Sequence, residues 1–185
     1  WLRSIFFINS LKGIAVGDSG MILKTINGGN SWSQVSSPVQ RNFNSLSFIN
    51  DSIGYIVGGN ETSIIRTILK TADGGLTWSV LRDEPGGWLT DISFLDQNTG
   101  HIVGDQATLL KTTDGGNTWQ KILYINDKIG VIDLVMNRTN PEILYAASYE
   151  KMRTAWTFEP GGPGSRIYKT IDGGSTWTML EKGLP

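Results

Sequence analysis

The chain has 185 residues, enough for one domain with a sizeable hydrophobic core. Its 16 Lys and Arg residues nearly balance 17 Asp and Glu residues, and the net charge of −1 gives no basic surface for nucleic acid. The absence of Cys excludes disulfides, thiol nucleophiles and zinc–thiolate sites, and no apolar stretch is long enough to span a bilayer. The 23 Gly and 7 Trp residues favour tight turns between aromatic-packed strands, which indicates an all-β protein.

Three units of one pattern follow each other from the N-terminus, over residues 1–40, 41–85 and 86–125. Their first parts align without a gap, at residues 4–18, 45–59 and 91–105. Each part holds alternating apolar residues, a polar turn and a second apolar run, which predicts an inner strand and its antiparallel neighbour. A box such as "KTTDGGNTWQ" at 111–120 then separates a predicted third strand from a fourth.

A fourth unit is predicted over residues 126–185. Asn140-Pro141-Glu142 resembles a helix start, but the phase of the repeat predicts a strand over residues 143–147, and we favour the strand. Residues 149–166 have no counterpart in the other units and are expected to form an insertion. Four strands in about 41–46 residues are typical of a propeller blade, so the predicted fold is an all-β propeller portion of four four-stranded blades.

The four boxes are interpreted as structural turns between the third and fourth strands. Each offers an Asp or Asn that is expected to accept hydrogen bonds from backbone N–H groups two or three residues later, two glycines that permit positive φ, a hydroxyl, and a Trp at the start of the outer strand. The expected structural residues are Asn27, Trp32, Asp73, Trp78, Asp114, Trp119, Asp172 and Trp177. One carboxylate per turn is too few for a calcium site, so no metal or other cofactor is predicted.

The pattern S/T-x-D-x-G-x-T-W resembles the Asp-box, or BNR repeat, of sialidases, sortilin-type receptors, xyloglucan-degrading hydrolases and the photosystem II assembly factor family. Residues 1–123, with "GYIVG" and "ILKTADGGLTW", are most similar to photosystem II assembly factor-like propellers. Residues 130–185, with "NPEILYAA" and "IYKTIDGGSTW", are similar to bacterial sortilin-type propellers. The resemblance implies a propeller with its boxes at the periphery and leaves the function open, because these relatives include both binders and hydrolases.

No catalytic site is identifiable in the sequence. A sialidase needs an arginine cluster and other glycosidases need two facing carboxylates, yet the arginines do not recur at one blade position. Asp91 and Asp133 are the acids on predicted inner strands, whereas Asp18, Asp105 and His101 are interpreted as ordinary turn or strand residues. We therefore predict a protein that is not an enzyme, with a fragment of a carbohydrate-active glycoside hydrolase as the alternative.

The insertion is the candidate binding surface. Its aromatic and arginine residues, Arg153, Trp156, Phe158 and Arg166, have the composition of recognition hot spots, and the alternative is a long loop that packs Trp156 onto a neighbouring blade. The predicted function is a non-catalytic binding or scaffold module that contacts a protein or peptide. The resemblance implies a secreted or periplasmic location, because such propellers occur widely in secreted bacterial proteins.

The two ends of the row of blades are also expected to need partners. The chain begins at Trp1 without Met, so we interpret it as a processed or excised segment of a larger protein. Phe6 or Phe7 on the first inner strand is expected to be buried, either against the fourth blade of a closed ring or against neighbouring blades or another copy.

Overall fold

The computed structural model describes residues 1–60, 65–106, 108–126, 129–137, 139–153, 158–160, 162 and 164–181. Within these ranges the chain forms four antiparallel sheets and a short 3-10 turn at Asp18–Gly20. The strands are, in chain order, β1 (Leu2–Phe7), β2 (Gly13–Gly17), β3 (Ile22–Thr25), β4 (Ser33–Gln34), β5 (Asn42–Phe48), β6 (Gly54–Asn60), β7 (Ile65–Thr71), β8 (Ser79–Pro85), β9 (Leu89–Phe94), β10 (Gly100–Gly104), β11 (Thr108–Thr112), β12 (Gln120–Leu123), β13 (Ile129–Met136), β14 (Leu144–Arg153), β15 (Phe158–Pro160), β16 (Ile167–Thr170) and β17 (Thr178–Met179). No helix in the described part is long and apolar enough to cross a membrane.

Each sheet is one blade, built from strands that follow each other in the chain. Blades 1, 2 and 3 have the orders β1-β2-β3-β4, β5-β6-β7-β8 and β9-β10-β11-β12. Strands β1, β5, β9 and β13 contact one another in series, so they form the inner wall of a propeller, and the fourth strands lie at its outer edge. The predicted all-β propeller portion with four blades is confirmed.

Blade 4 has the order β13-β14-β16-β17, with β15 added against β14. Residues 144–148 lie on β14 and alternate between buried and half-buried side chains, which is the period of a strand, so the strand prediction is confirmed. The first part of the insertion does not form a loop, because β14 continues to Arg153 and pairs with β15.

The hydrophobic core lies between successive blades. Three clusters of buried side chains fill the three interfaces, and each contains residues of both neighbouring blades, for example Ile14 and Phe48, Tyr55 and Ile92, and Val103 and Val131. Blades of this kind bury their faces against neighbours, so each interior blade is covered on both sides.

Blade 1 has a face that no other described blade covers. Its inner-strand residues Leu2, Ile5 and Phe7 are 53%, 56% and 43% exposed. The same register positions of blade 2 hold the buried residues Phe43, Leu46 and Phe48. No core cluster among the described residues joins blade 4 to blade 1, so the four blades form an open row.

The two phenylalanines of β1 point to opposite sides of blade 1. Phe6 is half-buried and packs against Phe48 of blade 2, with ring centroids 5.7 Å apart. Phe7 stays on the exposed face. The partner of Phe6 is therefore blade 2, and not the fourth blade of a closed ring.

Candidate functional site

The Asp114 carboxylate organises the box turn of blade 3. Its Oδ1 accepts the backbone N–H of Thr118 at 2.9 Å and the hydroxyl of Thr112 at 2.7 Å, and its Oδ2 accepts the hydroxyl of Thr118 at 2.6 Å. Gly115 and Gly116 have φ values of 69° and 80°, which glycine adopts without strain. These hydrogen bonds lower the pKa of Asp114 to about 2, and the bond from the Thr118 hydroxyl has the largest effect on that pKa.

The same turn recurs in the other three blades. The side-chain Oδ1 atoms of Asn27, Asp73 and Asp172 each accept a backbone N–H four residues later at 2.9 Å. In blade 1 the amide nitrogen of Asn27 donates to the Ser31 hydroxyl at 2.8 Å, whereas the Asp residues accept the hydroxyl proton. All four side chains are directed into their own turns. Among the described residues, no group of three or more His, Asp or Glu side chains is placed to hold a metal ion.

A buried threonine two residues before each acceptor completes the turn. The Thr71 hydroxyl donates to Asp73 Oδ1 at 2.8 Å and accepts the N–H of Gly75 at 3.0 Å. Thr25, Thr112 and Thr170 make the same two bonds in their blades. We did not predict this role from the sequence, although the signal is visible, since every box begins with Lys-Thr.

Replacing Thr71 with Val is expected to lower the free energy of unfolding by roughly 1–2 kcal/mol, because it leaves the buried N–H of Gly75 without its acceptor. Urea unfolding followed by circular dichroism measures the change. Thr71→Ser is the matched control, since it keeps the hydroxyl and is expected to retain most of the stability. Equal losses in both variants would contradict a hydrogen-bonding role.

The box tryptophans of blades 2 to 4 lie in the interface with the preceding blade. Trp78 belongs to the cluster that Ile14 of blade 1 enters. Trp119 meets the Tyr55 ring of blade 2 edge-on at 6.4 Å, and the indole N–H of Trp177 donates to the carbonyl of Ile122 in blade 3 at 3.0 Å. In blade 1, Trp32 lies edge-on to Phe7 at 6.2 Å. Each box after the first therefore fastens its blade to the one before.

The lysine that begins each of the first three boxes donates a hydrogen bond to the box of the next blade. Lys24 Nζ donates to the Gly74 carbonyl at 3.0 Å, Lys70 Nζ to Asn117 Oδ1 at 3.0 Å, and Lys111 Nζ to the Gly173 carbonyl at 2.7 Å. A cleft of about 430 Å³ lies beside the last of these contacts, between the boxes of blades 3 and 4. Because its lysine is already bonded across the interface, we assign this cleft to blade packing.

A different group of residues converges where the inner strands begin. Each inner strand carries one extra residue in its ladder, and these bulged residues are Arg3, Asn44, Thr90 and Ile132. Bulges re-aim side chains and are common beside binding sites. With Trp88, the first three line an open cleft of about 400 Å³, which we call the channel mouth.

Hydrogen bonds across three blades hold the channel mouth in place. Arg3 Nε donates to Asp18 Oδ1 at 2.5 Å, and Arg3 Nη1 donates to Asn44 Oδ1 at 3.2 Å. The amide nitrogen of Asn44 donates in turn to the carbonyl of Leu89 at 2.7 Å. The bond from Arg3 is the main cause of the lowered pKa of Asp18. Arginine has five N–H donors, so these bonds use part of its capacity and leave donors for a ligand.

The sequence did not single out the channel mouth, because the bulged position holds a different residue type in each blade. Of the residues predicted to form a recognition surface, Trp156 lies outside the described residues. Arg153 and Phe158 lie opposite each other on the β14–β15 ribbon. Arg166 donates to the carbonyl of Ser165 at 2.9 Å. Their predicted role stays a prediction.

The acids considered for catalysis occupy equivalent positions on neighbouring inner strands, Asp91 on β9 and Asp133 on β13. The Asp91 carboxylate accepts the hydroxyl of Ser45 at 2.5 Å. His101 is buried in β10 beside a cavity of about 110 Å³, and its Nε2 has no partner. Burial is the main cause that lowers the pKa of His101 to about 4.

The repeated turn, the four-stranded blades and their serial packing define an Asp-box β-propeller. The family model of photosynthesis system II assembly factor YCF48 matches residues 2–86 and 84–140. These segments cover more than half of the chain, which therefore belongs to this family. No curated protein matches it significantly.

Three solved structures place this fold among known propellers. YCF48 bound to D1 peptide is 21% identical, with 97% of this chain and 66% of that chain covered and a TM-score of 0.63. YCF48 from Cyanidioschyzon merolae is 16% identical, with 97% and 85% covered and a TM-score of 0.60. An ancestral GH74 enzyme is 18% identical, with 100% and 26% covered and a TM-score of 0.78. At these identities the likeness shows the fold, and the chain spans just under two thirds of the first structure and about a quarter of the last.

Proposed function

We propose that this chain is a non-catalytic peptide-binding propeller module and that the channel mouth is its binding site. One observation carries the proposal: bulged residues of three successive inner strands converge beside Trp88. The family membership supports it, since a YCF48 relative has been solved with a D1 peptide bound. The channel mouth lies away from the box turns, and the polar side chains of those turns are already hydrogen-bonded within the fold.

The chemistry of the channel mouth favours a peptide that carries a carboxylate near an apolar side chain. Arg3 offers charged N–H donors, which bind a carboxylate more strongly than neutral donors do. Trp88 offers an aromatic surface, and Trp1, which is 90% exposed, occupies the equivalent position at the start of blade 1. Tryptophan and arginine are the residues most enriched in binding hot spots.

Replacing Arg3 with Gln is expected to weaken binding of the D1 peptide roughly 10- to 100-fold, because a hydrogen bond to a charged group contributes about 1.5–3 kcal/mol. Fluorescence anisotropy with the labelled peptide measures the affinity. The same peptide with its carboxylates converted to amides is expected to lose affinity for the wild type and to lose little for Arg3→Gln.

Arg166→Gln is the matched control, because it removes an arginine from the surface predicted in the insertion. Unchanged binding by Arg166→Gln is the expected result. Loss of binding by Arg166→Gln, with Arg3→Gln unaffected, would reject the channel mouth and favour the insertion as the site.

The chain is expected to show no turnover of sialosides or β-glucans, because its box carboxylates are bonded within their turns and Asp91 is bonded to Ser45. Assays with fluorogenic glycosides test this expectation. Turnover that disappears in Asp91→Ala or Asp133→Ala would favour the alternative, a fragment of a glycoside hydrolase, to which the GH74 fold gives some support.

We further propose a secreted or periplasmic location, which fractionation of the source cells would test.

A further inference from the structure

One position on the second strand of each blade lies opposite the lysine of the box. It holds Ile14 opposite Lys24 in blade 1 and Tyr55 opposite Lys70 in blade 2, and both Ile14 and Tyr55 are fully buried. The Tyr55 ring stacks on Phe94 of blade 3 with the centroids 5.3 Å apart. In blades 1 and 2 this position therefore helps to fill the interface with the following blade.

In blade 3 the same position holds His101, and the interface with blade 4 is incompletely filled. A recess of about 110 Å³ remains there, which we call the histidine recess. Both of its walls belong to this chain: Asp91, Ser93, His101 and Val103 come from blade 3, and Leu134 and Met136 come from blade 4. Asp91 and Ser93 are exposed at the rim, so a ligand can enter from solvent.

The His101 side chain lines this recess with a polar atom that lacks a partner. The residue is 4% exposed, and its Nε2 is buried without a hydrogen bond to any other described residue. Buried polar atoms in folded proteins are nearly always hydrogen-bonded, because leaving one unpaired is unfavourable. The recess therefore offers a hydrogen-bonding site that the fold itself does not use.

The charges around the recess favour an uncharged ligand. Lys111 lies opposite His101 in the ladder, and its Nζ is held at the Gly173 carbonyl at 2.7 Å, so its positive charge repels a cation. The Asp91 carboxylate at the rim repels an anion. Burial, with a further contribution from Lys111, lowers the pKa of His101 to about 4, so its ring is uncharged at neutral pH.

The volume and the walls of the recess define the ligand further. An apolar cavity of about 150 Å³ holds benzene, so the recess suits a slightly smaller group of roughly five heavy atoms. Val103, Leu134 and Met136 provide apolar contacts for a short stem. A carboxamide has both donors and an acceptor, so it can pair with an imidazole nitrogen in either tautomer and with the Ser93 hydroxyl.

We propose that the histidine recess binds a carboxamide on a short aliphatic stem, the chemistry of a glutamine side chain. The amide hydrogen-bonds to His101 Nε2, and the stem packs against Leu134 and Met136. Thr90 of the channel mouth directly precedes Asp91 of the rim, so the recess adjoins the channel mouth. Its natural ligand is then a glutamine of the bound peptide, a step that rests on the proposed function, whereas carboxamide binding does not.

Three small molecules of matched size test the recess on the wild-type chain at neutral pH: propanamide, propanoate and butylamine. His101 is the only His in the sequence, so isotope-labelled histidine gives the ring signals of this residue alone in nuclear magnetic resonance. Propanamide is expected to shift the Nε2 signal with a Kd on the order of millimolar, as expected for so small a ligand. The anion and the cation are expected to bind at least about tenfold more weakly.

Variants that keep His101 locate the binding. Leu134→Trp fills the recess and is expected to abolish the shift caused by propanamide. Val135→Trp is the matched control, because successive residues of a strand point to opposite faces, and it is expected to retain the shift. Circular dichroism checks that both variants fold. Asp91→Asn removes the rim charge and is expected to bring the affinity for propanoate closer to that for propanamide.

The absence of a saturable shift with propanamide would overturn the proposal, because the recess would then hold only water. Tighter binding of propanoate or butylamine would overturn it too. Titration with the D1 peptide, followed at Trp88, is a separate measurement. Propanamide binding without peptide binding would reject the proposed function and support the recess as a carboxamide site, whereas peptide binding without propanamide binding would reject the recess alone.

Discussion

Replacing Trp78 with Ala is expected to destabilise the chain by about 3–5 kcal/mol, the range for removal of a large buried aromatic side chain. Trp78 is buried in the cluster between blades 1 and 2, where it meets the Phe48 ring edge-on with centroids 6.1 Å apart. Its loss leaves a cavity between blades 1 and 2, which removes packing contacts from both. Urea unfolding by circular dichroism, with the midpoint and slope compared to wild type, measures the effect.

Trp32→Ala is the matched control for this experiment. Trp32 holds the same box position in blade 1, but it lies half-buried on the face of blade 1 that no other described blade covers. We expect the loss of Trp32 to lower the free energy of unfolding by less than half as much as the loss of Trp78. Equal losses would show that the tryptophan stabilises its own turn rather than the interface.

The stability of the fold is expected to fall as the pH is lowered from 6.5 towards 4, in part because of His101. Its pKa is lowered from 6.5 to about 4 in the folded state, mainly by burial, with a contribution from Lys111. Below pH 6.5 the unfolded chain binds a proton that the folded chain does not bind until about pH 4. Protonation therefore favours unfolding in that window, by about 2 kcal/mol between pH 7 and pH 5.

His101→Ile separates this contribution from that of the carboxylates. Isoleucine occupies the equivalent position in blade 1, where Ile14 is buried between blades. The free energy of unfolding of this variant is expected to depend less on pH between 7 and 5 than that of the wild type. A difference of zero between the two pH profiles would show that His101 does not remain neutral in the folded state.

The blade pattern could be predicted from sequence because its signals are local. Alternating apolar residues, polar turns and the recurring box are each patterns of a few neighbouring residues. Because these patterns recur in the same order in every unit, they predict a strand over residues 143–147, although the local sequence there also resembles a helix start. The spacing was sufficient to expect a turn at each box, but the Asp and Asn acceptors all bond to the backbone N–H four positions later, which is a wider turn than the two or three positions expected.

The contacts between blades could not be predicted in the same way. Lys70 and Asn117 are 47 residues apart, and their hydrogen bond depends on how blade 2 packs against blade 3. The bulged residues Arg3 and Asn44 meet because one extra residue shifts each ladder, and the sequence carries no marker for that shift.

The likeness of residues 130–185 to sortilin-type propellers stays a prediction, since the family match ends at residue 140.

Nuclear magnetic resonance of the indole N–H groups tests the central claim, that the channel mouth binds peptide while the boxes hold the fold. The seven tryptophans give separate probes of these regions when the chain is titrated with the D1 peptide. The signal of Trp88 is expected to shift with saturating dependence on peptide, and those of Trp78, Trp119 and Trp177 are expected to stay in place. Shifts confined to the box tryptophans or to Trp156 in the insertion, with Trp88 unmoved, would contradict the account.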